Sequence, residues 1–421
     1  MWRIAYGIVL WLALPGVLAR LWWRGRNEPR YRRDLPERFG TYARAPERPV
    51  IWLHAVSVGE TRAAEPLVRE LRQRYPDHAL LITQMTAAGR ETAEQLYGRV
   101  AMLAYLPYDY PFAVRRFLTH FRPRLGVLME TEVWFNLVRE CTRAGTPLLL
   151  ANARMSAKSA RGYGAVGALS RVAFSRLSAV AAQTADDGAR LEALGARCAD
   201  VTGNIKFDVA PGGELRALGA KFRDWAGSRP VFLAASTREG EEEMLLDALF
   251  DHPLQGALTV IVPRHPQRFE EVAELLAKRH VKFARRSSGL PVPLDCRVLL
   301  GDSMGEMAAY YYACDVAFVG GSLMAYGGQN LIEALACGAP VLVGPYTYNF
   351  AQAADEAVAA GAAFRVADAA SLLETMRRLL ADPMVRRSMS ESGIAFCESH
   401  RGATARTMKI IERLMAGVPV A

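Results

Sequence analysis

A glutamate follows an apolar run near the start of the chain, where it could remove a proton from a substrate. The stretch IWLHAVSVGET, residues 51–61, passes from strand-like residues through Ser57 and Gly59 to Glu60. A strand that feeds a helix in this way usually presents backbone amides to an anion, so a carboxylate here requires an explanation. Glu60 is either an ordinary first-turn acid stabilised by the helix dipole or a general base, and this stretch alone leaves both interpretations open.

Three more candidate groups lie in the first half of the chain. Glu130 and Glu132 flank Thr131 in METEVWFN, directly after an apolar run, where two carboxylates can bind a metal, cap a helix or act as acid and base. Glu130, the last residue of the run, is better placed than Glu132 to face a ligand. Lys206 in GNIKFD follows a turn glycine at a predicted domain junction, although a lysine is more often a solvated surface charge.

The second half of the chain places anion-binding residue types after three apolar runs. VPRHPQRF carries an arginine whose fork suits phosphate or carboxylate. GDSMGEM and YGGQNLIEA each combine glycine with a helix start, so that backbone amides can approach an anion, and a glutamate such as Glu333 can accept ribose hydroxyls. Each loop alone could be a tight turn or a plain helix cap, but three such loops at successive strand ends predict that this domain binds a nucleotide.

The apolar runs predict the scaffold that positions these residues. From Pro49 onward, six short apolar runs alternate with helical patterns, and a second series of six begins at Pro230. Such runs are typical of parallel strands covered on both faces, and ligands bind beyond the carboxyl ends of such strands. The sequence therefore predicts an α/β fold with two doubly wound Rossmann-like domains facing across a cleft.

Composition shifts suggest where these domains begin and end. We expect an anchor and basic flank over residues 1–33, an N-terminal domain over 34–208, a linker over 209–229 and a C-terminal domain over 230–421. The linker is bounded by glycine and proline and contains one helical pattern. The last helical stretch, from about 382 to 416, could pack on either domain.

The positive charge of the chain is concentrated beside an apolar run at its start. Residues 1–48 hold ten arginines and four acids, a net +6 out of +9 for the whole chain. Because this excess flanks the uncharged run from Ile4 to Ala19, it favours a membrane surface over nucleic acid as partner. Six arginines between Arg20 and Arg33 oppose translocation of the rest of the chain, so we expect a retained anchor, spanning or interfacial; a cleaved signal peptide is the alternative.

Two other patterns argue against particular functions. The six cysteines show no CxxC and no metal-ligand spacing, as expected of reduced thiols in a cytoplasm. GYGAVG, residues 162–167, matches the GxGxxG dinucleotide fingerprint, but RMSAKSAR separates it from the preceding apolar run. A fingerprint must directly follow its strand, so we do not expect an NAD or FAD site.

Motifs along nearly the whole chain resemble those of bacterial 3-deoxy-D-manno-octulosonic acid (Kdo) transferases. They are HAVSVGETRAAEPLV, YLPYDYP, METEVWFN, ANARMSAKSARGY, GNIKFD, AASTREGEEE, VPRHPQRF, GDSMGEM and FVGGSLMAYGGQNLIEA. They occur in the family's order, between YRRDLPERFG after the anchor and PVLVGPYTYNF. Phe135 stands where proline is frequent, and GNIKFD often reads GSLKFD, but neither change touches a candidate residue.

The resemblance implies a GT-B glycosyltransferase that moves Kdo from CMP-Kdo to a lipid A precursor in lipopolysaccharide core assembly. It would work at the cytoplasmic face of the inner membrane, with the acceptor on the N-terminal domain and CMP-Kdo on the C-terminal domain. It further implies that Glu60 is the proton acceptor and that Glu130 and Lys206 stabilise the transition state. CMP would be held by Pro263, Arg264, Met304, Gly305, Glu306, Asn330, Leu331, Ile332 and Glu333.

These residue types suit a glycosyl transfer that inverts the anomeric configuration of the sugar. It needs a base for the attacking hydroxyl and positive charge near the leaving phosphate, which Lys206 and Arg264 can supply. No DxD motif occurs, so we expect neither a metal nor a cofactor, and we expect helix amides to keep Glu60 ionised at neutral pH. The arginine-rich start fits anionic lipid. The alternatives are a GT-B transferase or epimerase using a UDP-sugar, and a non-catalytic membrane-anchored nucleotide-binding protein.

Overall fold

Two compact units make up the chain. The computed structural model describes residues 2–27, 32, 34–197, 199–209 and 212–417. The first unit comprises Met1–Val209 and Arg401–Ala421, and the second comprises Ala210–His400. Each contains a seven-stranded sheet within these described residues. All strand pairs in both sheets are parallel. The predicted α/β class with two doubly wound domains is therefore confirmed.

The first unit has the strand order β3-β2-β1-β4-β5-β6-β7. Its strands are β1 (Val50–His54), β2 (Ala79–Gln84), β3 (Met102–Tyr105), β4 (Pro123–Met129), β5 (Leu148–Ala153), β6 (Ala179–Ala182) and β7 (Ala199–Val201). Its helices are α1 (Trp2–Asn27), α2 (Val58–Ala63), α3 (Glu65–Arg74), α4 (Ala87–Tyr97), α5 (Pro111–Phe121), α6 (Phe135–Ala144), α7 (Ala157–Ala165), α8 (Gly167–Phe174) and α9 (Ala185–Ala193). Short 3-10 turns span Glu37–Phe39 and Ile205–Asp208.

Burial on both faces explains why the strands of this sheet are apolar throughout. Every residue of β1 is buried. Trp52 packs into the core on one face, while Ile51 and Leu53 pack into the core on the other. A strand buried on both faces cannot alternate polar and apolar residues, which accounts for the continuous runs in the sequence.

The second unit has the strand order β10-β11-β9-β8-β12-β13-β14. Its strands are β8 (Val231–Thr237), β9 (Leu258–Pro263), β10 (Phe283–Arg285), β11 (Val298–Leu300), β12 (Val316–Val319), β13 (Val341–Val343) and β14 (Ala363–Arg365). Its helices are α10 (Gly213–Ala226), α11 (Glu241–Asp251), α12 (Arg268–Lys278), α13 (Met307–Ala313), α14 (Leu331–Ala336), α15 (Ala351–Ala359), α16 (Ala369–Ala381) and α17 (Pro383–Ser399). A 3-10 turn spans Arg286–Ser288.

The observed boundaries of the C-terminal domain differ from the predicted ones at both ends. Helix α10, expected within a linker, packs on α13, with Phe222 against Tyr310 at 4.9 Å between ring centroids. The last helix, α18 (Ala403–Met415), belongs to the first unit, because its apolar face joins the core there. Asp208 fixes its start by accepting hydrogen bonds from the amides of Gly402 (2.7 Å) and Thr404 (2.6 Å).

Helix α1 carries the predicted anchor. By length and composition, Ala5–Arg26 is apolar enough to cross a membrane, and only 6% of its most apolar stretch is buried in the protein. Part of the expected basic flank, including Arg30 and Arg33, lies outside the described residues. The same is true of Cys198, whereas the other five cysteines are free thiols.

Candidate functional site

Glu60 lies in the first turn of α2, beyond the carboxyl end of β1. Ser57 caps this helix, and its hydroxyl donates to Glu60 Oε1 at 2.8 Å. The backbone amide of Val56 donates to Glu60 Oε2 at 2.9 Å. The carboxylate is thus folded back over the turn and held at both oxygens, which fixes its position as a base requires.

The pKa of Glu60 is raised to about 7. Burial is the largest cause and the charge of Glu130 the next, with a smaller contribution from Glu132. The hydrogen bonds from Val56 and Ser57 lower the pKa but do not offset these effects. We expected helix amides to keep Glu60 ionised at neutral pH; with a pKa of about 7 it is ionised only in part there, because burial and the charges of Glu130 and Glu132 outweigh the hydrogen bonds. A carboxyl group with this pKa can both accept and release a proton near pH 7.

Glu130 and Lys206 form an ion pair. Lys206 Nζ lies 2.9 Å from Glu130 Oε1, and both side chains are about four-fifths buried, with exposures of 17% and 20%. Glu130 directly follows β4 and has a φ of 57°, a left-handed conformation that is costly for a residue with a side chain. Such strain at a strand end is typical of functional sites, where the surrounding structure holds an unfavourable geometry.

Asn152 holds the turn that carries Lys206 against this edge of the sheet. Its Oδ1 accepts a hydrogen bond from the amide of Ile205 at 3.0 Å, and its own φ is 51°. The amide of Glu130 in turn donates to Ala151 O at 3.0 Å. The sequence analysis did not identify Asn152, and the only signal for it was a polar residue at the end of the apolar run PLLLANA.

His54 is a second polar residue at this edge that the sequence analysis missed. It is fully buried at the end of β1, with Nδ1 2.9 Å from Thr83 Oγ1. Its Nε2 has no hydrogen-bond partner among the residues that the structure describes. Burial lowers the pKa of His54 to about 3, so the imidazole is neutral at pH 7. A neutral ring can position neighbouring groups but does not supply positive charge.

In the second unit, two arginines follow neighbouring strands. Arg238 and Arg264 come directly after β8 and β9, whose ends are paired through Thr237 and Pro263. Arg264 Nε donates to Gln329 Oε1 at 3.1 Å, in the glycine-rich loop after β12. Because this pairing places the two residues side by side, positive charge accumulates beyond the carboxyl ends of the two strands.

Arg238 was not identified from the sequence, although its position mirrors that of Arg264. Its guanidinium lies 4.4 Å from the ring centroid of Tyr326. Among the described residues no carboxylate pairs with it. The pKa of His265 is lowered by burial first and then by the charges of Arg238, Arg264 and Arg268, so these groups are close together. The cluster can therefore bind an anion.

Helix α14 carries the other predicted nucleotide residues. Asn330 caps it, with Oδ1 accepting from the amide of Ile332 at 3.2 Å. Leu331 and Ile332 are each 1% exposed, so their side chains lie in the core. Glu333 is partly buried in the first turn of this helix.

Met304, Gly305 and Glu306 lie in the turn before α13. Gly305 has a φ of 83°, which glycine tolerates, and Met304 is exposed. The carboxylate of Glu306 accepts two hydrogen bonds from Arg286, at 2.8 and 3.0 Å, and one from Ser303 at 2.6 Å. Its oxygens are thus already engaged by the protein, and a ligand contact would come from the backbone of this turn.

The buried carboxylate of Glu241 holds the glycine-rich loop after β12 in place. It is completely buried, and its oxygens accept hydrogen bonds from the amides of Arg238 (2.9 Å), Gly321 (2.6 Å), Ser322 (3.0 Å) and Leu323 (3.0 Å). Four amides on one carboxylate join the loops after β8 and β12. The sequence analysis missed this residue, because one glutamate in REGEEE could not be distinguished from its neighbours.

Two parallel-sheet units, each with polar and charged groups beyond the carboxyl ends of its strands, form a fold of the GT-B class. In agreement, residues 278–396 match the family model described as Glycosyl transferases group 1. Residues 33–209 match the model described as 3-Deoxy-D-manno-octulosonic-acid transferase (kdotransferase).

Full-length relatives identify the family. The chain is 46% identical to a 3-deoxy-D-manno-octulosonic acid transferase of Bordetella pertussis, over 95% of this chain and 97% of that protein. It is 38% identical to the transferase of the same description from Haemophilus influenzae, over 98% of both. The chain belongs to the Kdo transferase family, and the predicted resemblance is confirmed.

Solved structures of low sequence identity share the fold. A UDP-GlcNAc 2-epimerase from Neisseria meningitidis bound to UDP-GlcNAc matches with a TM-score of 0.58 and 17% identity, over 87% of this chain and all of that one. The Anabaena HepE protein in complex with UDP matches with a TM-score of 0.60 and 15% identity, over 87% and 100% of the two chains. At these identities the likeness concerns the fold alone.

Proposed function

We propose that the chain transfers Kdo from CMP-Kdo to a lipid A precursor at the cytoplasmic face of the inner membrane, in lipopolysaccharide core assembly. Glu60 acts as the general base in a single inverting displacement. The observation that carries this proposal is the geometry of Glu60: a carboxylate held at both oxygens, with a pKa raised to about 7, beyond the carboxyl end of a parallel strand.

The base function follows from this environment. A base works best when its pKa lies near the working pH, since it is then ionised before the reaction and still basic enough to take the proton. The attacking sugar hydroxyl would lose its proton to Glu60 as its oxygen bonds to the anomeric carbon of Kdo, and the bond from that carbon to the CMP phosphate would break. Inversion requires no covalent intermediate, so one base suffices.

Lys206 and Glu130 would stabilise charge in this displacement. The lysine supplies positive charge, and Glu130 holds it in place at 2.9 Å. A preorganised cation of this kind acts without reorganisation cost when charge develops on the reacting groups. The strained backbone of Glu130, with a φ of 57°, supports a role beyond structure for this pair.

The donor would bind to the second unit. Arg264 would contact the phosphate of CMP, and Glu333, in the first turn of α14, would accept ribose hydroxyls. Pro263, Met304, Gly305, Glu306, Asn330, Leu331 and Ile332 complete the proposed CMP site. Arg238, beside Arg264, offers a second cation for the donor's negative charge. The reaction would need no metal, which transfer in EDTA tests directly.

Substitution of Glu60 tests the catalytic part of the proposal. We expect Glu60→Ala to lower kcat by about 100-fold or more, the usual contribution of a general base, while thermal protection by CMP stays unchanged. The matched control is Glu65→Ala, a partly exposed acid of the next helix that pairs with Arg69. Full activity in Glu60→Ala would contradict the proposal, and so would equal losses in both variants.

Nucleotide choice separates this proposal from a UDP-sugar enzyme, the class suggested by the fold likeness alone. CMP should raise the thermal unfolding temperature at concentrations where UDP does not. Protection by UDP and not by CMP would favour the alternative.

A further inference from the structure

Helix α1 lies along the first unit with one face covered. The residues of this face are partly or fully buried and recur every three or four positions, as expected for one side of a helix: Tyr6, Leu10, Leu14, Val17, Leu18, Leu21 and Gly25. From Tyr6 to Gly25 the helix extends about 29 Å, close to the thickness of a bilayer core. Leu21 and Gly25 are buried and the other five residues are partly exposed, so the protein covers this face of the helix in part.

Specific polar contacts hold the first half of α1. Tyr6 Oη donates to Asp109 Oδ2 at 2.8 Å, and the Tyr6 ring packs edge-on against Phe135 at 5.1 Å between centroids. Tyr110 Oη donates to the carbonyl oxygen of Leu10 at 2.6 Å. Hydrogen bonds at two successive turns of an otherwise apolar helix fix both its position and its rotation on the protein.

Asp109 connects this contact to the candidate active site. It is 6% exposed, and its carboxylate also accepts from the amides of Asn136 (3.0 Å) and Leu137 (2.7 Å) in the first turn of α6. Asp109 lies beyond the end of β3, and Glu60 lies beyond the end of β1. The strands are parallel members of one sheet, so α1 is docked at the same edge as the proposed base.

The opposite face of α1 presents apolar side chains to the surroundings. Leu12 is 76% exposed, and Ile8, Val9, Trp22 and Trp23 are also largely exposed. The tryptophans occur with Arg20, Arg24 and Arg26 at the C-terminal end of the helix. Apolar residues on one face, with tryptophan and arginine at an end, are typical of helices that lie in the boundary between acyl chains and anionic headgroups.

We propose that α1 lies in the plane of the membrane interface, with its covered face on the first unit and its exposed face in a leaflet containing anionic lipid. A spanning arrangement with the arginines in the cytoplasm would place Tyr6 about 30 Å away, near the opposite headgroups. It would thereby separate Tyr6 from Asp109 and Leu10 from Tyr110, and break both hydrogen bonds. In the in-plane arrangement, the sheet edge that carries Glu60 faces the bilayer surface, where a lipid acceptor lies. This consequence rests on the proposed function.

The side of the membrane on which the N-terminus lies tests the arrangement without reference to activity. The full chain carries a protease-cleavable epitope tag ahead of Met1 and is expressed in a Gram-negative host. We expect protease added to intact spheroplasts to leave the tag uncut and to remove it only after lysis. Cleavage in intact spheroplasts would show that the helix spans and would overturn the proposal. A periplasmic protein with the same tag is the control for protease access.

A cross-link in the membrane fraction tests the docked contact itself. Tyr6→Cys with Phe135→Cys should be joined by a short bismaleimide and migrate as an internally linked species. The matched pair, Leu12→Cys with Phe135→Cys, places one thiol on the exposed face and should not be joined. Equal linking of the two pairs, or none in the first, would contradict docking. Kdo transfer is not read in either experiment, so failure of the proposed function and failure of this inference are distinguishable.

Discussion

Replacing Glu60 by glutamine should stabilise the protein in alkaline solution while removing its activity. The pKa of Glu60 rises from the ordinary 4.5 to about 7 on folding, so the folded protein binds this proton more tightly than the unfolded chain. Stability therefore falls as the pH rises from about 4.5 to about 7 and is constant above that range. The full difference corresponds to at most about 3 kcal/mol, because Glu60 keeps some contact with solvent.

Glutamine has the shape of the protonated carboxyl group and cannot ionise. We therefore expect Glu60→Gln to raise the unfolding free energy by up to about 3 kcal/mol at pH 8.5 and to change it little at pH 4. Thermal unfolding at the two pH values measures this, with an expected rise in Tm of several degrees at pH 8.5. Glu65→Gln, at a partly exposed first-turn acid, should change stability by less than about 0.5 kcal/mol at either pH.

The change in Tm caused by Glu60→Gln at pH 8.5, compared with the change at pH 4, tests this reasoning. If Glu60→Gln lowers Tm equally at pH 4 and pH 8.5, the carboxylate is not destabilised by burial and by Glu130. The reasoning that makes Glu60 a base with a pKa near 7 would then fail. A rise at pH 8.5 together with wild-type transfer activity would leave the electrostatics intact but refute the catalytic role.

Four further results are expected. Glu130→Gln should lower the pH midpoint of kcat/KM from near 7, since the charge of Glu130 raises the pKa of Glu60; an unchanged midpoint would contradict this. Lys206→Met should reduce kcat by about 100-fold without changing CMP affinity, and Lys206→Arg should restore part of it. Arg264→Met should raise the Kd for CMP about tenfold or more in titration calorimetry. Glu241→Gln should lower both Tm and CMP affinity. The side-chain amide of glutamine would point an N–H group at the N–H groups of the loop, at a cost of about 1–3 kcal/mol. Normal CMP binding by this variant would show that Glu241 does not organise the loop.

The sheets were predictable where strands are buried on both faces. β1 is buried along its full length and reads as a continuous apolar run. β7 and β10 were missed because they are three-residue strands at sheet edges, only partly buried, so their sequences lack such a run. The amphipathic pattern of α18 predicted a helix, but an apolar stripe does not specify which core it covers, and the structure assigns it to the first unit.

The sequence indicated the candidate residues of the site but not their pKa shifts or ion pairs. Glu60 and Glu130 became candidates because ligand-binding groups follow apolar runs in parallel sheets, and Lys206 because it follows a turn glycine at the predicted domain junction. The raised pKa of Glu60 depends first on burial and then on the charge of Glu130, seventy positions later, and both arise only in the folded chain. In the same way, the pairing of Glu306 with Arg286 depends on contacts between separate loops. Tertiary contacts of this kind leave no local pattern in a single sequence.

Product mass analysis tests the central claim most directly. The membrane-bound full chain is incubated with CMP-Kdo and a tetraacylated, bisphosphorylated lipid A precursor, and the lipid is analysed by mass spectrometry. We predict a gain of one or more Kdo residues on the precursor with wild-type protein and none with Glu60→Gln. An unmodified precursor in the wild-type reaction, under conditions where CMP binds, would contradict the account.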